Sequence, residues 1–171
     1  LLINAHNGLG GYTLQGGIFR MICSNGMVIS EQDFGKVHIR HIGFDPEQVK
    51  EASRDLVMGS TRIADKIGSW QKTELSPRAR MDFFTDAAKI RFKDPDEGVI
   101  RDMSTVRREA DKGNDLWRTF NVAQENLIRG GFLNGSTRRQ VRPITSIQKD
   151  MNFNAELWNL ASTYSESISA N

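Results

Sequence analysis

Polar side chains recur at helical spacing between residues 121 and 129. Residues at positions i, i+3, i+4 and i+8 line one side of a helix. Here they are two amides, a carboxylate and a guanidinium, with a third amide beside the carboxylate: Asn121, Gln124, Glu125, Arg129 and Asn126. Such a strip is either a solvated face or the wall of a binding site. In a site, Glu125 would be a general base if it were buried and its pKa lay near neutrality.

A basic stretch follows this strip. No acidic residue occurs from Asn126 to Lys149, although the whole chain has a net charge of only +2. Five cations fall in the interval: Arg129, Arg138, Arg139, Arg142 and Lys149. Cationic side chains that follow a glycine-bearing turn can reach phosphates, and Phe132 offers a face on which a base can stack. The pattern favours nucleic-acid binding, with a solvated loop as the alternative.

Metal and cofactor chemistry have less support. The three histidines are His6, His38 and His41. In a strand, a separation of three residues points His38 and His41 to opposite faces, so a shared zinc ion would need a β-bulge. The single cysteine, Cys23, excludes a disulfide within these residues and is predicted to be a buried strand thiol. Nucleotide-binding, zinc-protease and serine-hydrolase motifs are absent. We expect no metal and no cofactor.

The elements that must position these residues begin with strands. Apolar runs alternate with glycine-rich turns in the first 43 residues, and residues 36–42 alternate with the period of a strand. Asn25-Gly26 is the strongest hairpin signal in the chain and would join a strand at 18–23 to another at 27–30. The sequence therefore predicts a small antiparallel β-meander.

The rest of the chain is predicted to be mainly helical. One helix should begin at Pro46 and run to about residue 74, and a second should begin at Ser76-Pro77. Residues 94–98 are predicted to be a loop, and residues 99–108 a weak helix. Asp115 is a good N-cap and Gly130-Gly131 a helix stop. Four apolar residues at helical spacing should be the buried stripe between them: Leu116, Phe120, Ala123 and Leu127. A last helix is expected at 154–164, followed by a frayed polar tail at 165–171.

The predicted fold class is α+β, with the meander of about residues 1–43 covered on one face by four to five helices. The 171 residues fit a single domain, which we place at 1–164. Because the chain begins at Leu1, we expect that an N-terminal segment of the full protein is missing. No apolar run approaches the roughly 18–20 residues of a membrane span, and we expect no membrane association and a cytoplasmic location.

Several segments together resemble a known family. They are GGIFRMICSNGMVI, KVHIRHIG, DLWRTFNVAQENLIRGG, RRQVRPITSI and the LW of NAELWNLA. Their order and spacing, from about His6 to Ala161, are similar to the phage- and plasmid-like family of domain of unknown function 932. The opening NAHNG resembles the family's N-S-H-[DN]-G, with alanine in place of the usual serine. The resemblance implies an origin in phage, prophage or plasmid gene sets and a cytoplasmic location in a bacterial host. It brings no catalytic residues.

Three functions remain open, in this order. The first is non-enzymatic binding of nucleic acid in mobile-element DNA metabolism, such as binding or annealing of single-stranded DNA by a homo-oligomer. The basic residues would neutralise phosphates, while Asn121, Gln124 and Asn126 orient the adjoining backbone. The second is a protein-interaction or host-modulating assembly factor, whose basic residues face an acidic protein surface. The third is an enzyme of unknown chemistry with a pocket walled by His6, Asn121 and Glu125.

The polar strip also has a structural interpretation. Asn121 and Glu125 would then hydrogen-bond the hairpin at 23–26 and Arg20, which would tie the helix to the sheet through a buried polar network.

Overall fold

The structure is a computed structural model that describes residues 2–4, 12–15, 18–19, 26–27, 36–39, 46–134 and 137–170. The chain divides into two compact units, Leu1–Lys66 and Ile67–Asn171. Apart from one short hairpin at 133–140, the strands lie in the N-terminal part and the helices in the rest, which confirms the α+β class. The single domain at 1–164 and the covering of the sheet by helices stay predictions. No helix in the described ranges is long and apolar enough to cross a membrane.

The first unit contains two small antiparallel sheets. Their strands are β1 (Leu2–Asn4), β2 (Tyr12–Gln15), β3 (Ile18–Phe19), β4 (Gly26–Met27) and β5 (Lys36–Ile39). The order β1-β2-β5 forms one sheet, and β3 pairs with β4 in the other. A continuous meander is therefore wrong, because β2 pairs with β5 and the β3–β4 hairpin is inserted between them. Gly26 lies opposite Phe19 and belongs to the returning strand, rather than to the predicted turn. The pairing between the two strands, more than the turn preference of Asn25-Gly26, determines the register of this hairpin.

Helix α1 (Pro46–Trp70) begins at the predicted proline and ends four residues early. Backbone pairing explains the stop. The N–H of Leu116 donates to the Thr73 carbonyl, and the N–H of Leu75 donates to the Asn114 carbonyl, each at 2.9 Å. The segment after Trp70 is thus paired with the start of a later helix, and its carbonyl groups are used outside the helix.

The second unit contains the remaining helices and one hairpin. They are α2 (Pro77–Arg91), α3 (Glu97–Met103), a 3-10 turn (Glu109–Asp111), α4 (Leu116–Arg129), β6 (Leu133–Asn134), β7 (Arg139–Gln140) and α5 (Ile147–Ser169). The predicted loop at 94–98 is wrong in its second half. The Asp96 carboxylate accepts from the Val99 N–H at 2.9 Å and caps α3, so a sequence that reads as a turn is a helix start. Helix α5 is longer at both ends than the helix predicted over 154–164.

Helix α4 lies at the centre of the second unit and packs against α2, α3 and α5. All four residues of its predicted stripe are fully buried. Phe120 packs in an aromatic cluster, with ring centroids 5.7 Å from Trp70 and 6.1 Å from Trp158, while Trp70 and Trp158 lie 4.4 Å apart. Complete burial of these three large aromatic side chains removes a large apolar area from water and stabilises the core of this unit. The predicted core position of Trp158 is confirmed.

Candidate functional site

The polar strip is defined here as Asn121, Gln124, Glu125 and Asn126 of α4. All four are buried, at 0–5% exposure. Helix α4 is covered on several sides, and the strip faces protein instead of water. The interpretation as a solvated face is therefore wrong, and each polar atom needs a partner within the fold.

Glu125 is held between two guanidinium groups. Arg108 approaches it with Nε 2.8 Å from Oε2 and Nη2 3.0 Å from Oε1, and Arg129 Nη1 lies 2.9 Å from Oε1. The Glu125 side chain is 3% exposed. A general base needs a lone pair directed at the substrate proton. Both oxygens of Glu125 accept from arginine, so the geometry favours a structural carboxylate.

Asn126 fixes the loop that follows α3. Its Nδ2 donates to the carbonyl oxygens of Met103 and Thr105, each at 2.8 Å, and its Oδ1 accepts from Nε of Arg107. The Arg107 Nη2 also donates to the Gly130 carbonyl at 3.4 Å. One buried amide thus uses both its donors and its acceptor, as burial requires.

The other two amides act within the helical layer. Gln124 Nε2 donates to Oδ1 of Asn154 at 2.7 Å, which joins α4 to α5. Asn154 in turn donates to Oδ1 of Asp150 at 3.0 Å. Burial raises the pKa of Asp150, and the hydrogen bond from Asn154 opposes that shift. Asn121 donates to the Trp117 carbonyl of its own helix at 2.6 Å.

A buried polar network is thus present, but its described partners differ from the predicted ones. Arg20 and residues 23–25 lie outside the described residues, so a link from α4 to the hairpin stays a prediction. Arg107 and Arg108 were missed in the sequence. They lie in an irregular segment 17 or more positions from their partners, where no periodic pattern signals a pairing.

The basic segment is defined here as residues 137–149. Its four cations are exposed: Arg138, Arg139, Arg142 and Lys149. None of them forms an ion pair with any residue in the described ranges of the chain. Arg129 differs from these four predicted phosphate ligands, because it forms an ion pair with Glu125. The predicted stacking face is also wrong, because Phe132 is 7% exposed and packs edge-on against Phe92.

Backbone hydrogen bonds anchor this segment to the end of α4. The Ile144 N–H donates to the Ile128 carbonyl at 2.8 Å, and the Gly131 N–H donates to the Val141 carbonyl at 2.9 Å. Gly130 has φ of 62°, and a Cβ atom at that position would collide with the Val141 carbonyl. Only glycine adopts this positive φ and leaves room for the Val141 carbonyl without strain. The helix stop predicted at Gly130 therefore also brings the basic segment against α4.

A surface cleft of about 460 Å³ opens beside the start of α5. Three cations line it, Arg91, Arg142 and Lys149, together with the hydroxyl residues Thr145 and Ser146. Arg91 donates through Nη2 to the Arg142 carbonyl. Its Nη1 is buried and has no hydrogen-bond partner. Burial lowers the pKa of Arg91. The sequence did not signal this cleft, because Arg91 lies about 50 residues before the other cations.

The remaining predicted site residues are in the first unit. His6 and His41 lie outside the described residues, as does Cys23, and only the backbone of His38 is described. Within the described ranges, no group of three or more His, Cys, Asp or Glu side chains is arranged to hold a metal ion. The pocket that would join His6 to Asn121 and Glu125 stays a prediction.

Comparison with known proteins gives three findings. The profile of the family described as domain of unknown function (DUF932) matches residues 1–158. The chain is similar to two Escherichia coli K12 proteins: UPF0380 protein YafZ, 33% identical over 165 residues (94% of this chain and 60% of YafZ), and UPF0380 protein YfjQ, 32% identical over 167 residues (95% and 61%). The chain thus spans about three fifths of these curated relatives. No solved structure matches it.

Proposed function

This chain belongs to the family of domain of unknown function 932, and we propose that it is a non-enzymatic protein that binds the phosphate backbone of single-stranded DNA. In this proposal it serves mobile-element DNA metabolism in the cytoplasm of a bacterial host and acts as a homo-oligomer. The binding surface is the basic segment, with Arg138, Arg139, Arg142 and Lys149 as the phosphate ligands.

One observation carries the proposal: these four cations are exposed and have no ion-pair partner among the described residues. Several other cations of the same unit form ion pairs, as Arg108 and Arg129 do with Glu125 and Lys112 does with Glu109. Four uncompensated cations within 12 positions of sequence create a positive potential that attracts a polyanion. Phosphate contacts supply most of the affinity of sequence-independent binding.

Exposed apolar side chains beside the cations favour a single strand over a duplex. Leu133, at the start of the hairpin, is 63% exposed, and Ile147, near the end of the basic segment, is 74% exposed. Unpaired bases offer apolar faces to such side chains, whereas a duplex buries those faces in its stack.

The test is fluorescence anisotropy with a labelled oligothymidylate over a range of salt concentrations. We expect affinity to fall steeply with salt, with a logarithmic slope of about −0.7 for each phosphate neutralised. The double variant R138E/R139E should reduce both affinity and slope, while unfolding within about 0.5 kcal/mol of the wild type, because both side chains are exposed.

The matched control is K72E/K93E, which makes the same charge change at two exposed lysines outside the basic segment. It should retain most of the binding. No binding at about 50 mM salt, or equal losses in the two double variants, would contradict the proposal. Native mass measurement with and without the oligonucleotide tests the oligomeric state. A partner captured equally well after nuclease treatment would favour the protein-interaction alternative.

A further inference from the structure

The cleft beside α5 is lined by three kinds of side chain. Its cations are Arg91, Arg142 and Lys149, and its apolar residues include Ile90 and Ile144. The Ser146 hydroxyl, Asn152 and Glu156 add hydrogen-bonding groups. A volume of about 460 Å³ falls within the usual range of small-molecule sites, roughly 300–1,000 Å³. An anionic group, an apolar face and a polar edge are the three parts of a nucleotide.

Arg91 gives the cleft a partly buried positive charge. No carboxylate in the described part of the chain lies within ion-pair distance of its guanidinium. One terminal nitrogen donates to a backbone carbonyl, and the other is buried with no hydrogen-bond partner. Withdrawal of a charge from water is costly unless a counter-charge lies near it. A bound anion would supply that counter-charge.

The charge balance of the lining indicates which anion fits. Three cations and one carboxylate leave two positive charges to be neutralised. A phosphate monoester carries about −1.5 to −2 at neutral pH, whereas an internal phosphodiester carries a single charge. Helix α5 begins directly after Ser146, which lines the cleft, so the positive end of its dipole also favours an anion there.

We propose that this cleft binds a nucleoside monophosphate group, with the phosphate at Arg91, Arg142 and Lys149 and the nucleoside against the partly exposed apolar residues Ile90 and Ile144. The group is either a free nucleotide or the phosphorylated 5′ end of a DNA strand. The inference deepens the proposed function, because Arg142 and Lys149 serve both the cleft and the basic segment.

The experiment measures the affinity of the full chain for three probes: thymidine 5′-monophosphate, and one short oligothymidylate prepared with a 5′-phosphate or with a 5′-hydroxyl. Both oligonucleotides carry a label at the 3′ end. We expect the 5′-phosphate to tighten binding about tenfold, which is the contribution of one charge-assisted hydrogen-bonded group. If the free nucleotide binds more tightly than the phosphorylated strand, it identifies the nucleotide as the ligand.

Two variants locate the effect. N152W places a bulky side chain at the mouth of the cleft, and N159W makes the same change two turns further along α5, at an exposed position outside the cleft. N152W should abolish the preference for the 5′-phosphate, and N159W should retain it. R91M removes the positive charge of Arg91 and should have the same effect as N152W. Since R91M also removes a backbone contact, N152W is the decisive variant.

Each outcome separates this inference from the proposed function. Equal affinity for the two oligonucleotides, with no binding of the mononucleotide, overturns the inference and leaves DNA binding intact. Binding of the mononucleotide alone, lost in N152W, supports the cleft and contradicts DNA binding. A 5′-phosphate preference that survives in N152W overturns the cleft as its source.

Discussion

The polar strip of α4 and the basic segment that follows it place their charged groups in opposite surroundings. In the strip, Glu125 is 3% exposed and accepts from two arginines. In the basic segment, Arg138 and Arg139 are exposed and have no ionic partner among the described residues. The carboxylate of the strip binds arginines of the same chain and so holds a loop to a helix. The cations of the basic segment remain available to a ligand. Burial and pairing, more than residue type, distinguish a structural charge from a binding charge.

The comparison is tested most strongly by E125A. The change leaves the Arg108 guanidinium, whose side chain is 14% exposed, without its carboxylate. Removal of one partner from a buried pair costs about 3–5 kcal/mol, so urea or thermal unfolding should show a loss of that size. E109Q is the matched control, since Glu109 is 84% exposed and pairs with Lys112, and it should cost at most about 1 kcal/mol. Equal losses in the two variants would erase the distinction between the regions.

A second prediction concerns the joint between the two regions. G130A forces a side chain onto φ of 62° and against the Val141 carbonyl, which should cost about 2–3 kcal/mol in unfolding free energy. Because Gly130 brings the basic segment against α4, the affinity for the oligonucleotide should fall as well. G131A, where no atom lies within 4 Å of the added Cβ, should cost less and retain binding. The joint would lose this role if G130A kept wild-type affinity.

The smallest effect is expected at Asp150, which belongs to the buried network through Asn154 but follows Lys149 directly. Burial raises its pKa, so the folded state holds its proton to higher pH than the unfolded state does. Its contribution to stability is therefore present at low pH and is lost as the pH rises from the unfolded value through the raised folded value. D150N should remove this loss. Urea titrations should show that the unfolding free energy of the variant rises relative to that of the wild type between pH 3 and 7. A difference that stays constant over this range would contradict the raised pKa of Asp150.

Local signals in the sequence predicted much of the helical unit. Asp115, the apolar stripe and Gly130 define α4 within one continuous segment, and the structure confirms each of them. The family resemblance was also correct. Local signals misled where two elements share the same residues. Asp94–Gly98 has turn composition, yet Asp96 caps α3.

The candidate site was less accessible to sequence reasoning. Arg129 counted as one more cation of the basic stretch, because its partner Glu125 and the burial of α4 depend on tertiary packing. The aromatic side chain of Phe132 suits base stacking, but it packs against Phe92 and is buried. Arg91 reaches the cleft from another helix, and neither spacing nor periodicity records such a long-range approach.

The anchoring of the basic segment has a thermodynamic consequence for any ligand. Its backbone is already fixed by hydrogen bonds from Ile144 to Ile128 and from Gly131 to Val141, so the ordering entropy is lost when the protein folds. A binding partner then needs to immobilise only side chains, at about 2 kcal/mol or less for each arginine or lysine. We therefore expect rapid association whose temperature dependence reflects the ordering of the ligand strand, with little contribution from folding of the protein.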